Sequence, residues 1–176
     1  MPILNGNSGG LIQGDNGANA INGLGGDDII IGAGGSDVLR GSTGNDSMRG
    51  GTGDDVMSGG DGNDTMNGGD GNDRLIGGEG DDRLAGGNGD DILSGGAGKN
   101  FMSGGAGADV FFFNANADGV NKILDFNMLE DGLNLDGVVG VSFVVTASGA
   151  IVTLDNGGTI NFLGLSGADV TDLFGF

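Results

Sequence analysis

Aspartate recurs on every ninth residue through most of this chain: Asp28, Asp37, Asp46, Asp55, Asp64, Asp73, Asp82 and Asp91, then Asp109 after one asparagine, Asn100. Carboxylates on a strict beat can work as acid–base pairs or as ligands for hard cations. The rest of the composition weighs between the two. The chain has no His and no Cys, so the common nucleophile–base pairs are missing. "GLSGA" at 164–168 approaches a nucleophile elbow but ends in Ala168, with no His to serve it. Composition leaves a glycosidase-like carboxylate pair open, but the repeat uses most of the acids in a single role, and the expectation is a non-catalytic chain. An EF-hand also fails: counted from Asp61, place five is Thr65 and place twelve is Asn72. What is left is ligation of a hard cation by oxygen.

The aspartates belong to a nonapeptide that runs from Gly14 to Phe112 in eleven units without insertion or deletion. The first and fourth places are always Gly, the sixth is Asp or Asn, and the eighth reads Ile21, Ile30, Leu39, Met48, Met57, Met66, Leu75, Leu84, Leu93, Met102, Phe111. G-G-x-G-x-D-x-U-x is an established calcium-binding β-solenoid repeat, and a period this strict calls for a solenoid. The residues explain why. A glycine-rich turn of six residues followed by a strand of three points only the middle strand residue, the eighth, inward. The methionines among these residues are adaptable core fillers. Two units make one coil, so aspartates 18 apart stack on the same edge. Stacked at ~5 Å, the strand spacing, they repel. A calcium ion between each pair removes the conflict, because it accepts six to eight oxygens in flexible geometry. Glycine aims backbone carbonyls at the same point by adopting φ > 0. Asp64 and Asp73, neighbours in sequence, therefore belong to opposite edges, while Met66 and Leu75 meet in the core.

Net charge is −19, from 25 acidic and 6 basic residues, which repels nucleic acid and anionic membranes and invites cations. No apolar run approaches the ~20 residues of a membrane span. "MPILNGNSGG" at the start has neither the basic nor the apolar part of a signal peptide. Composition alone would suit a disordered acidic linker. The inward apolar row argues for order once cations are present, and disorder without them.

All nine Phe lie between Phe101 and Phe176, so the tail differs from the repeats. Residues 1–13 read as a degenerate first repeat, 14–112 as the roll, and 113–176 as a β-rich cap. In the cap, "KILDF" (122–126), "VSFVVT" (141–146), "IVTL" (151–154) and "TINFL" (159–163) are expected to be short antiparallel strands, with turns at "ASG" and "NGG".

The repeats over 14–112 resemble the RTX family of secreted calcium-binding proteins. The resemblance implies an all-β fold, a calcium-loaded parallel β-roll, with each ion held between two turns on one edge. The earlier turn would give the carbonyls of positions two and four plus its Asp, and the later turn those of positions one and three plus its Asp. One site would be Gly51, Gly53 and Asp55 with Gly68, Asp70 and Asp73; the next would be Gly60, Gly62 and Asp64 with Gly77, Glu79 and Asp82. Carried through the repeats, the aspartates would be joined by Gly41, Gly50, Gly59, Gly68, Gly77, Gly86 and Gly104 at position one. Gly51, Gly60, Gly69 and Gly87 would serve at position two, and Thr52, Asp61, Asp70, Glu79 and Asn88 at position three. Gly26, Gly35, Gly44, Gly53, Gly62, Gly71 and Gly89 would serve at position four. Seven Asp–Asp pairs follow (28/46, 37/55, 46/64, 55/73, 64/82, 73/91, 91/109), with 82/100 and 19/37 each weakened by an Asn, so about seven strong sites and up to nine. Seven divalent ions would bring −19 to −5.

"KILDFNMLEDGLNLDG" (122–137) resembles the segment after the repeats in RTX proteins, and "DVTDLFGF" (169–176) is similar to the C-terminus of type I secretion substrates. The resemblance implies export by the type I machinery through an uncleaved C-terminal signal, and an extracellular or cell-surface location. The expected role is a structural, surface or secretion-folding module that folds on extracellular Ca2+. The alternative is the C-terminal module of a larger toxin, protease, lipase or epimerase. A further alternative, ice binding through outward Thr and Asn, rests only on Thr43 and Thr52 among the third positions. The biological partner stays open.

Overall fold

The computed structural model describes residues 3–6, 9–114, 119–136, 141–146, 149–154 and 158–163. "GLSGA" and "DVTDLFGF" lie outside the described residues, as do parts of the "ASG" and "NGG" turns. Among the described residues there is no helix, hence none long and apolar enough to cross a membrane.

The repeats begin with three short strands, β1 (Ile3–Asn5), β2 (Leu11–Gln13) and β3 (Ala20–Asn22). They continue with β4 (Ile29–Gly34), β5 (Val38–Thr43), β6 (Ser47–Thr52), β7 (Val56–Asp61), β8 (Thr65–Asp70), β9 (Arg74–Glu79) and β10 (Arg83–Asn88). Then come β11 (Ile92–Ala106), β12 (Val110–Asn114), β13 (Gly119–Ile123), β14 (Gly132–Asp136), β15 (Val141–Thr146), β16 (Gly149–Leu154) and β17 (Thr159–Leu163). Alternate strands stack in parallel. One ladder runs β1, β3, β5, β7, β9, β11, β12, β14. The other runs β2, β4, β6, β8, β10, β11, β13, β17. β11 serves both ladders, because it passes through a corner without a break. The fold is a parallel β-solenoid, as the period of nine implied.

The strands are longer than expected. In mid-roll each has six residues, from the seventh place of one unit to the third of the next, such as Val56–Asp61. Only places four to six form the corner. The two glycines of places one and two stay in the strand, and the second stays in register: Gly60 pairs with Gly78, as Met57 pairs with Leu75. They can do so because position one faces inward where no side chain fits, and position two takes a φ near +120°, as at Gly60 and Gly69. Ala33 and Ser42 hold position two at φ 87° and 88°, which shows the site is set by the stack and not by glycine alone.

Every eighth-place residue from Ile21 to Phe111 is at most 3% exposed. The apolar column then continues beyond the repeats. Ile123 pairs with Met102, and Leu133 with Phe111. Phe126 lies 5.9 Å from the Phe111 ring and 5.1 Å from that of Phe162, filling the end of the roll with aromatics. This corrects the expected pairing of the tail. β13, which holds the start of "KILDF", and β14 are parallel additions to the two ladders. Among the described residues only β15, β16 and β17 pair antiparallel, and β17 also joins β13 in parallel. The stacking of Ile123 and Leu133 on the core column holds these segments in parallel register after the glycine beat has ended.

Thr43 pairs with Asp61, and Thr52 with Asp70, so the two threonines stand in different ladders and form no row.

Candidate metal centres

The sixth-position aspartates sit at the corners between the two ladders. All nine, from Asp28 to Asp109, are at most 2% exposed, an unusual degree of burial for carboxylates without cationic partners. One oxygen of each is tied to the stack, with Asp28 as the exception. The Asp28 N–H donates to Asp46 Oδ1 at 2.8 Å, Asp46 N–H to Asp64 Oδ1 at 2.8 Å, and Asp64 N–H to Asp82 Oδ1 at 2.9 Å. On the opposite edge the same bond joins Asp37 to Asp55, Asp55 to Asp73, Asp73 to Asp91 and Asp91 to Asp109. The aspartates thus form two rows with a step of 18 residues, and Asp64 and Asp73 lie in different rows.

Among the described residues the second oxygen, Oδ2, has no hydrogen-bond partner in any of the nine. It lies against the Cα of the position-one glycine of its own unit. A Cβ on Gly59 would overlap Asp64 Oδ2 and stand 2.7 Å from the Gly77 carbonyl oxygen of the next coil. On the other edge, a Cβ on Gly50 would overlap Asp55 Oδ2 and stand 2.6 Å from the Gly68 oxygen. The same pair of oxygens recurs at Gly23, Gly32, Gly41, Gly68, Gly77 and Gly86. An unsatisfied carboxylate oxygen and a carbonyl oxygen of the next coil therefore converge on a space that only glycine leaves open. The donor set is all oxygen and fits a hard divalent cation. Among the described residues no three carboxylates come together, so backbone carbonyls have to supply much of any coordination shell.

Burial pushes the carboxyls from Asp37 to Asp109 up, and the charge of nearby carboxylates adds to it, against the amide hydrogen bonds. Asp55, Asp82 and Asp91 rise to about 7 and Asp73 to about 6. Asp37, Asp46, Asp64 and Asp109 are also raised, chiefly by burial. These are carboxylates that gain from an adjacent cation.

Of the groups expected in one site, the structure places Asp55 Oδ2 and the Gly68 oxygen together, with Asp73 Oδ1 bonded to the Asp55 N–H at 2.8 Å. The Asp70 carbonyl accepts the Gly53 N–H at 2.7 Å. The carbonyls of Gly51 and Gly53 run along the stack towards the Cα atoms of Gly69 and Gly71. The side chains of Thr52, Asp61, Asp70, Glu79 and Asn88 are exposed at the edges.

The asparagine positions differ from each other. Asn19 turns its amide back on its own corner, donating to Asp15 Oδ1 at 3.1 Å and to the Gly17 carbonyl. Asn100 keeps the ladder bond, accepting the Asp82 N–H at 2.9 Å, and its Nδ2 donates to Asn121 Oδ1 at 3.0 Å. The 82/100 pair retains the cradle, because Asp82 supplies the free Oδ2 and Gly95 the carbonyl.

A second ladder, at the fifth place, has no counterpart in the sequence reading. The Asn45 N–H donates to Asp27 Oδ1 at 2.7 Å, Asn63 N–H to Asn45 Oδ1 at 2.8 Å and Asp81 N–H to Asn63 Oδ1 at 2.7 Å. Asp54, Asn72 and Asp90 do the same on the other edge. These bonds point the opposite way along the stack and lie in solvent. The signal was present: the fifth place reads Asp27, Asn45, Asp54, Asn63, Asn72, Asp81, Asp90, interrupted only by Ser36. Asx residues suit such side chain–backbone bonds.

A family model for the RTX calcium-binding nonapeptide repeat matches the chain four times, over residues 5–39, 40–75, 76–111 and 85–119. This chain belongs to the RTX calcium-binding repeat family. The RTX repeats are calcium-binding units, and the two aspartate rows are their sixth positions. A search of the curated proteins finds no match to this RTX chain. Among solved structures it is similar in fold to the crystal structure of the extracellular lipase LipA from Serratia marcescens, at 17% identity and a TM-score of 0.41. That match covers 90% of this RTX chain and 41% of the lipase chain, so the chain spans under half the length of that structure.

Proposed function

We propose that this RTX chain is a non-catalytic module that folds when it meets extracellular calcium. The observation that carries the reading is the set of nine buried aspartates whose Oδ2 atoms have no partner among the described residues. Without cations, each row stacks carboxylates that burial already disfavours as anions. With cations, the same rows hold the coils together. Folding and ion binding are then one event, as when a site does not exist in the unfolded chain.

In this reading the seven Asp–Asp pairs are the strong sites, and the 82/100 pair is a weaker one with a single carboxylate. Each ion takes the free Oδ2 of the earlier Asp and the position-one carbonyl of the later turn, with further backbone carbonyls and the later Asp completing the shell. The chain leaves the cell unfolded through the type I machinery, guided by its C-terminal segment, because cytosolic calcium is too scarce to fold it. Millimolar calcium outside then drives folding. The role is structural, at the cell surface or beyond.

Circular dichroism of the full chain tests this directly. A disordered spectrum in excess chelator that converts to β on adding calcium is expected, with calorimetry and ion counting giving about seven strong sites. A β spectrum persisting in excess chelator at neutral pH would refute it.

A further inference from the structure

One aspartate row outlasts the nonapeptides. On the edge that carries Asp37, Asp55, Asp73, Asp91 and Asp109, the sixth place of the following coil is taken by Asp131. The backbone shows the correspondence. The Asp109 N–H donates to Asp131 Oδ1 at 3.1 Å, as the Asp91 N–H does to Asp109 Oδ1 at 2.9 Å. The Gly132 N–H donates to the Asp109 carbonyl at 2.6 Å, as the Val110 N–H does to that of Asp91 at 2.8 Å. β14 then stacks on β12 with Leu133 over Phe111. The step is 22 residues where the repeats step 18, so a reading by period stops at Asp109.

The two edges end differently. On the other edge, Asn100 is followed by Asn121, and the bond from Nδ2 to Oδ1 at 3.0 Å closes the corner with neutral amides. On the Asp131 edge no side-chain amide takes that part among the described residues. Asp109 is 1% exposed, and its Oδ2 has no partner among the described residues. The charges that face it are those of Asp131, Asp125 and Asp90, all negative. Asp125 stands in the turn above, its carboxylate accepting Gly104 N–H at 3.0 Å, Gly105 N–H at 3.1 Å and the Ser103 hydroxyl. The oxygen Asp109 leaves free lies against that same Gly104. Asp131 Oδ2 accepts the Asn127 N–H at 2.7 Å, which fixes the carboxylate over the corner. A buried oxygen without a partner among the described residues, with the Asp131 carboxylate next in its row, at the corner where every earlier coil of this edge repeats the cradle, calls for a cation.

We infer that a further calcium site lies beyond the repeats, between Asp109 and the turn 125–131, with Asp109 Oδ2 and Asp131 as its carboxylate ligands. Asp125 adds negative charge from above. The site rests on the calcium reading of the repeats and extends it to residues no nonapeptide contains.

The test is native mass spectrometry of the full chain in calcium, comparing the wild type with Asp131→Asn and with Asp54→Asn as a surface control. Asn at 131 keeps an oxygen to accept the Asp109 N–H and gives up only the acceptor of the exposed Asn127 N–H, which water can replace. Asp131→Asn is expected to bind one ion fewer than the wild type, and Asp54→Asn the same number. An unchanged count in a folded Asp131→Asn chain overturns the site. A wild type that binds no calcium at all would overturn the parent reading instead. If Asp131→Asn does not fold, crystals of the wild type grown with terbium decide: an anomalous peak between Asp109 and Asp131 is expected. Peaks along the repeat rows with none there would sink the inference.

Discussion

Asp73→Asn separates a buried metal ligand from a hydrogen-bonding side chain. The residue serves two corners. Its Oδ1 accepts the Asp55 N–H at 2.8 Å, and its free Oδ2 meets the Gly86 carbonyl oxygen over Gly68. Asparagine keeps the first contact. Its Nδ2 has a partner as well: by the precedent of Asn100, whose Nδ2 donates to the Gly96 carbonyl at 3.2 Å, it would turn to Gly69. The hydrogen-bond inventory therefore barely changes, and the loss is of charge at the 55/73 and 73/91 pairs. An ion held at a hundred times its Kd stabilises the folded chain by about 2.7 kcal/mol. Losing one site to both thus costs ~2.7 to ~5.4 kcal/mol in saturating calcium. Asp54→Asn is the control, since Asp54 is exposed and its Oδ1 only caps the Asn72 N–H at 2.9 Å; its expected effect is within about 0.5 kcal/mol. Urea unfolding followed by circular dichroism, over a series of free calcium concentrations, reads both the stability and the number of ions linked to folding. The Asp73→Asn slope against calcium should fall by one to two ions. Equal losses for the two variants, or an Asp73→Asn loss that does not depend on calcium, would refute the reasoning.

Other consequences are open to measurement. Acid should replace calcium in part: burial raises Asp55, Asp82 and Asp91 to about 7 and Asp73 to about 6, well above the ordinary carboxylate range. Groups raised on folding favour the folded state fully below the unfolded value and lose that contribution as pH rises through the folded one. In chelator, β structure by circular dichroism should therefore grow from pH 7 towards pH 4, while in calcium the affinity should fall over the same range as protons compete for the ligands. Met57→Ala removes a fully buried side chain stacked between Leu39 and Leu75, and should cost about 2–5 kcal/mol in urea unfolding at saturating calcium. Ala33→Gly should stabilise the loaded chain by roughly 1 kcal/mol, because Ala33 sits at φ 87° where most repeats have glycine; a destabilisation would show that its methyl is packed and not strained.

Much of the roll was legible because one rule repeats. A fixed eighth-place apolar residue and a fixed sixth-place Asp leave few ways to fold, and the step of 18 between row neighbours appears in the bonds from Asp28 to Asp46 and from Asp37 to Asp55. Strand length was harder to read, since glycine has weak strand preference and Gly59 and Gly60 look like turn residues. They stay in the strand because the neighbouring coil pairs Gly78 with Gly60 and sets the Gly77 carbonyl against Gly59, contacts invisible along the chain. The fifth-place ladder was missed for the opposite reason. Its Asx residues stand on the beat, but beside a stronger carboxylate signal that accounts for the charge of both places.

The tail marks where the period stops informing. Asp125, Phe126 and Asp131 have no fixed spacing to any repeat residue, and "KILDF" reads as a generic strand. Only stacking places Ile123 on Met102 and Asp131 over Asp109, because core packing and amide pairing select the register once the glycine beat is gone. The sequence alone determined the coil, the core column and the two carboxylate rows, since each follows from a local period. The tertiary structure decided which oxygen of each aspartate is spent on the stack and which is left free. That depends on the direction of the amide of the neighbouring coil, and no single coil contains it.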